Sequence, residues 1–177
     1  MYKNIFDSHA HYDDEQFDYD RNELLVSFKE KGVSGVVCCG VNIETSKFAV
    51  ELSHKYDFVY SAVGFHPLDN DKYRNSDLEI IKELAKDEKC VAIGEIGLDY
   101  HYEKKVVQSN LYSLKNRFSW LMNWTYQSFF MIESLTKIHL IYSKSINQKV
   151  CFIVSRVVWK WQRKSSNLVC ISVLVVQ

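Results

Sequence analysis

The sequence predicts an α/β protein of the (β/α)8-barrel type, present as about four β/α units followed by an atypical C-terminal tail. Three observations carry that expectation. Apolar runs alternate with helical patterns through the first hundred residues, about 30 residues per step. Polar residues capable of chemistry stand at the C-terminal tips of those runs. The pattern then stops near residue 103, where composition changes abruptly.

The elements follow in order. Ile5-Phe6 reads as a short buried strand leading into Asp7-Ser8-His9-Ala10-His11. Residues 18–31 form a helix, with Leu24, Leu25 and Phe28 at helical spacing and Gly32 just past its end as a stop. Residues 35–41 are a continuous small-apolar strand, and 44–55 a second helix with Phe48, Val50 and Leu52 among its apolar positions. A third strand covers 58–64. Ser76 is placed to cap a third helix running through Ala85, with Glu79 completing a capping box. Residues 90–94 make a fourth strand that runs into Glu95. Strands apolar throughout, alternating with helices, argue for a parallel sheet covered on its faces. Doubly wound sheets use the same units, so alternation alone leaves both architectures open. The placement of Asp7, His9, His11, His66 and Glu95 at strand tips favours the barrel, whose strand ends converge on one mouth. At 177 residues the chain is short of the roughly 250 that a closed barrel takes.

Charge divides the chain sharply. Its net charge is zero, yet residues 1–103 hold 21 acids against 11 bases, and residues 104–177 hold 11 bases against Glu133 alone. All six glycines and the single proline, Pro67, lie in the first 97 residues, and all four tryptophans lie after residue 119. About 7% glycine is usual, so a glycine-free stretch of this length is hard to turn into an ordinary domain. The expected division is 1–107 as barrel-type sequence and 108–177 as a foreign tail, with strand propensity at 150–154 and 169–176. The five cysteines are scattered and odd in number, and residues 1–20 lack a basic start followed by an apolar run; a reducing cytoplasm is the expected location. The apolar stretch 168–176 is far short of the roughly 20 residues that cross a bilayer, so no membrane protein is expected.

Three constellations carry chemistry. In His9-Ala10-His11 the imidazoles are two residues apart, which on a strand puts both on one face, within reach of one cation. Glu95, between Gly94 and Gly97, offers a carboxylate where the backbone can approach closely. His66 precedes Pro67 at another strand end. Each alone is commonplace, and a pair of histidines at a strand end is most often unrelated to metal. Their joint placement at the same end of strands one, three and four points to a metal-dependent hydrolase.

The segments Phe6-Asp7-Ser8-His9-Ala10-His11, Val63-Gly64-Phe65-His66-Pro67 and Ala92-Ile93-Gly94-Glu95-Ile96-Gly97-Leu98-Asp99-Tyr100 resemble, in order and spacing, successive motifs of the TatD family. These are metal-dependent hydrolases of the amidohydrolase type on a β/α barrel, many of them deoxyribonucleases. The resemblance runs from about residue 3 to 107. It implies that His9 and His11 ligate one divalent ion, that Glu95 ligates or bridges two, and that His66 lines the substrate pocket. It further implies phosphodiester hydrolysis of DNA with two divalent ions, for which zinc, magnesium and manganese are all compatible. Nothing in the sequence points to an obligate protein partner.

The family also uses two later histidines and a late aspartate, and here the chain departs from it. After residue 103 it has His139 as its one histidine and no aspartate. The expectation is therefore a chain with little or no activity as it stands. A change of reading frame near 106–109 accounts for the departure. Phe130-Met131-Ile132-Glu133, coded TTC-ATG-ATA-GAG, reads His-Asp-Arg from the third base. Val150 to Ser155, coded GTG-TGT-TTC-ATT-GTT-TCG, reads Val-Phe-His-Cys-Phe in the same frame. Two histidine-bearing strand motifs thus return in order and in one frame. Two other functions remain in view: a related hydrolase acting on another ester, such as that of a D-aminoacyl-tRNA, and a non-catalytic nucleic-acid binder using the basic, tryptophan-bearing tail.

Overall fold

The computed structural model describes residues 4–66 and 72–95, together with the strand backbones at 128–132, 150–154 and 171–172. The described elements run β1 (Ile5–Ala10), α1 (Arg21–Ser27), β2 (Val33–Cys39), α2 (Ile43–Lys55), β3 (Val59–Val63), α3 (Asn75–Leu84) and β4 (Cys90–Ile93), then β5 (Ser128–Ile132), β6 (Val150–Val154) and β7 (Ile171–Ser172). A 3-10 turn, Glu15–Phe17, precedes α1.

β1 to β4 form one sheet in sequential order, every neighbouring pair parallel. That order decides between the two architectures. A doubly wound sheet reverses its strand order part way along, whereas a barrel adds each strand beside the last. β5, β6 and β7 form a second parallel sheet, again sequential, and β4 contacts β5.

β2 shows why its run is apolar at every position. Val36 and Cys38 pack toward the helices with Tyr12, Leu25, Ala49, Leu52 and Val59, while Val37 and Cys39 pack on the other face with Ala62 and Ala92. Both faces are buried, so alternation disappears. Burial pushes the Cys38 thiol up to about 12 and the Cys39 thiol well above its ordinary value, which leaves both inert at neutral pH. At the edge of the sheet, β1 leaves Phe6 53% exposed.

Two elements differ from the sequence expectation. The first helix starts at Arg21 rather than Asp18, because Asp18 is drawn into an ion pair with the Arg21 guanidinium at 2.6 Å and residues 15–17 wind as a 3-10 turn. The third helix begins at Asn75, before Ser76. Its closing bond is Asp77 Oδ2 accepting the Arg74 N–H at 2.9 Å, so the capping carboxylate is Asp77 and not Glu79. The first helix also stops at Ser27 rather than Lys31, so Gly32 does not close it but ends the turns at 28–32 that follow, at φ 84°. The strands at 150–154 and 171–172 fall within the two tail segments of strand propensity. Pro67, Gly97 and the proposed frame change lie outside the described residues.

Candidate metal centre

Three strand ends meet through small residues and short tethers. A side chain on Gly64 would collide with the Gly94 carbonyl oxygen, 2.1 Å from an ideal Cβ, so β3 and β4 approach as closely as glycine allows. Ser46, fully buried in α2, accepts the Gly64 N–H at 3.2 Å and sits against Gly40. The His66 N–H bonds the Val41 carbonyl at 2.8 Å, tying the ends of β2 and β3. α2 itself begins with a reciprocal cap: Asn42 Oδ1 accepts the Thr45 N–H at 2.8 Å, and Thr45 Oγ1 accepts the Asn42 N–H at 3.0 Å. Sequence reading passed over Ser46. Its signal is a small polar residue whose helical position faces two glycines.

Upon this platform His9, His11 and Glu95 converge. His9 Nε2 lies 3.4 Å and His11 Nε2 3.3 Å from Glu95 Oε1, and the two Nε2 atoms are 2.8 Å apart. One ligand atom from each can be chosen so that all three lie within 4.8 Å of one another, and these residues form a metal-capable group among the described residues. Donors about 2.0–2.1 Å from a tetrahedral zinc stand roughly 3.3 Å apart, so two of the three separations already suit a shared cation. His11 Nδ1 bonds the Cys39 carbonyl at 3.0 Å. A proton held there leaves Nε2 as the ligating atom, the arrangement common to metal-binding histidines. Asp7 is occupied otherwise. Its Oδ1 accepts the His9 N–H at 3.1 Å, so the carboxylate shapes the strand end.

Glu95 is 6% exposed. Burial alone would push its carboxyl up, but hydrogen bonds from His11 and His9 outweigh that and hold it well below the usual carboxylate range. For His11, burial is the largest single influence and works against the charged ring, but the hydrogen bond to Glu95, the charges of Glu95 and Asp13 and the Cys39 carbonyl together outweigh it, so its pKa ends raised. Both directions favour an ionised Glu95 carboxylate facing the imidazoles, and a carboxylate with two imidazole nitrogens is a donor set that fits a divalent cation. His66 reaches the same carboxylate from its other oxygen, Nε2 to Oε2 at 3.7 Å. The three histidines singled out in the sequence therefore gather around Glu95, His9 and His11 at one oxygen and His66 at the other.

Histidines at i and i+2 at the end of the first strand of a parallel β/α sheet, with a buried glutamate just past the fourth, form a candidate cation site at the strand C-termini, where β/α barrels place their chemistry. The comparisons narrow the reading. Residues 6–120 match the model of the TatD related DNase family, and the chain belongs to the TatD family. It is 45% identical over 100 residues to the uncharacterized metal-dependent hydrolase YabD of Bacillus subtilis, covering 56% of this chain and 39% of that protein. To the 3'-5' ssDNA/RNA exonuclease TatD of Escherichia coli K12 it is 34% identical over 97 residues, covering 55% of this chain and 37% of the other. The chain thus spans about two fifths of the length of these relatives. Among solved structures it resembles the TatD homologue YjjV of Escherichia coli K12, with a TM-score of 0.72 and 20% identity over 88% of this chain and 61% of that one. A TatD family hydrolase from Entamoeba histolytica gives 0.71 and 19%, over 88% and 58%. At those identities the likeness is one of fold.

Proposed function

We propose that His9, His11 and Glu95 are the cation ligands of a TatD-type phosphodiesterase acting on DNA, and that His66 lines its substrate pocket. The observation that carries this reading is the convergence of two imidazole nitrogens on one oxygen of a buried carboxylate. Glu95 divides its oxygens, Oε1 toward His9 and His11 and Oε2 toward His66. That division suits a carboxylate bridging two ions, of zinc, magnesium or manganese. When bound, such ions supply Lewis acidity toward a phosphoryl oxygen and lower the pKa of water. The chain's own part is to hold the His11 imidazole through the Cys39 carbonyl and the His9 backbone through Asp7, to keep Glu95 ionised, and to place His66 beside the phosphate. The relatives named as exonucleases support a nucleic-acid substrate. Cys38, Cys39 and Cys90 are free thiols, which fits a reducing cytoplasm. Among the described residues no helix is long and apolar enough to cross a membrane.

The same reading makes this chain a poor catalyst, since residues 104–177 provide no aspartate and His139 as their one histidine. The test is cation content and hydrolysis of single-stranded DNA by the purified chain and by Glu95→Gln. Cation binding that falls by more than about 100-fold in Glu95→Gln, with feeble turnover throughout, is expected. Binding indifferent to Glu95 would overturn the ligand assignment, and near-normal turnover would overturn the inactive chain.

We further propose the division at residue 107, with 108–177 an out-of-frame reading of barrel sequence. The two shifted histidine codons fall at 130–131 and 152–153, inside β5 and β6. Codons with thymine at the second base specify Phe, Leu, Ile, Met and Val, so a thymine-rich strand stays apolar in a neighbouring frame. The nucleotide sequence of codons 104–110 decides this, and an uninterrupted frame there rules it out.

A further inference from the structure

The segment that carries the chain away from His11 is braced by a guanidinium. Arg21, the first residue of α1, donates from Nε to the Tyr12 carbonyl and from Nη2 to the Asp14 carbonyl at 3.1 Å and to Asp18 Oδ1 at 2.6 Å. Its Cζ lies 5.0 Å from the centroid of the Phe48 ring on α2, and its side chain is 15% exposed. Tyr12 follows His11 directly, and the His11 carbonyl accepts the Asp14 N–H at 3.2 Å. Arg21 therefore braces two carbonyls of the turn that starts at a cation ligand. Tyr12 is anchored too, its ring buried in the helix-side core against Phe17 and Phe28. The His11 ring meets the Cys39 carbonyl through Nδ1 and Glu95 and His9 through Nε2, and its direction also depends on how the backbone leaves it.

We propose that Arg21 is a positioning residue for the metal centre: by clamping the Tyr12 and Asp14 carbonyls it sets the direction in which His11 presents Nε2 to a divalent cation. The proposal rests on the ligand reading given above. A planar fork serving two carbonyls and a carboxylate fixes direction in a way that one point charge does not, and supports of this kind around a metal ligand are worth about 10–100-fold in affinity.

The test uses the full chain with Co2+ as the probe, reading affinity and the visible absorption spectrum alongside the melting temperature of the metal-free protein. Arg21→Met keeps the stem and removes the donors. It should weaken Co2+ binding about tenfold and shift the spectrum, with Arg21→Lys recovering part of the affinity. Lys89→Met, at the opposite end of the sheet, should lower the melting temperature while leaving Co2+ affinity and spectrum unchanged. Wild-type affinity and spectrum in Arg21→Met overturn the positioning role, as does a loss of Co2+ binding in Lys89→Met that tracks its loss of stability. If Arg21→Met fails to fold, Arg21→Lys decides: a shifted spectrum supports the role and an unshifted one overturns it. A wild-type chain that takes up no Co2+ overturns the ligand reading and this proposal together.

Discussion

The two ends of the four-stranded sheet are built on opposite rules. At the C-terminal end, like groups are collected: three imidazoles around one buried carboxylate, their donor atoms gathered at its two oxygens. At the N-terminal end, Lys89, His54 and Asp87 each meet a complementary group. Lys89, just before β4, donates to the carbonyls of Ser53, Tyr56 (2.7 Å) and Asp57 (3.3 Å), where α2 finishes with unsatisfied acceptors. His54 of α2 pairs with Asp87 at 2.6 Å. The second end pairs these groups among themselves, whereas the first carries the proposed cation ligands. In β/α barrels chemistry belongs to the strand C-termini and stability to the other end. Here that division is visible in which groups are paired.

Substitutions should separate the two ends, and the largest effect falls where the site end is packed most tightly. In Gly64→Ala the new methyl would meet the Gly94 carbonyl carbon at 2.6 Å as well as its oxygen, backbone atoms that cannot swing aside. The ends of β3 and β4 must part, at a cost of about 1–3 kcal/mol, and Glu95 moves with them. A lower urea midpoint and weaker cation binding should appear together. A lower midpoint with unchanged binding would show that Glu95 is placed independently of the strand contact.

At the other end Lys89→Met leaves three carbonyls without their ammonium and should cost about 1–2 kcal/mol. Cation affinity should stay as it was, and a matched loss in calorimetric titration would erase the proposed division of labour. The smallest effect belongs to Asp87. Burial is the largest single influence and raises its pKa, but the hydrogen bonds from His54 and the Lys89 N–H, with the charges of both residues, together outweigh it and leave the carboxyl below its ordinary value. A depressed carboxyl contributes stability that is present above its unfolded pKa, about 3.9, and is lost as pH falls through the folded one. For an exposed pair this amounts to less than about 1 kcal/mol. In Asp87→Asn the acid-side decline in melting temperature should therefore be slightly shallower than in the parent, and an unchanged slope would deny the pair any role.

Much of this was legible residue by residue. Two-residue spacing announced that His9 and His11 share a face, and a run buried on both sides announced β2 as an interior strand. Gly32 marked a turn that takes φ 84°. Charge and glycine distribution marked the chain's division without any coordinates. The misses have one cause. Asp18 was read as helix because its local pattern permits it, and Arg21 withdraws it for an ion pair. Ser76 has the chemistry of a cap, but Asp77 reaches the Arg74 N–H first. Lys89 and Asp87 gave no signal, since their partners lie some 30 residues away. The proposed role of Arg21 was equally hidden, because its acceptors are backbone carbonyls, the same in every residue type.

Periodicity and residue type were thus enough to specify the β/α unit, the parallel sheet and the identity of the ligand candidates, because these depend on groups only a few residues apart. Strand order was not available at that range. That β1 to β4 lie in sequence, and so follow the barrel rather than the doubly wound plan, depends on which side each crossover adds its strand. Nor could spacing say that Glu95, more than 80 residues from His9, would bring one oxygen within 3.4 Å of it and turn the other toward His66. Such distances are settled by the close approach of Gly64 to Gly94 and by the packing of α2 through Ser46, contacts that exist only once the sheet has formed.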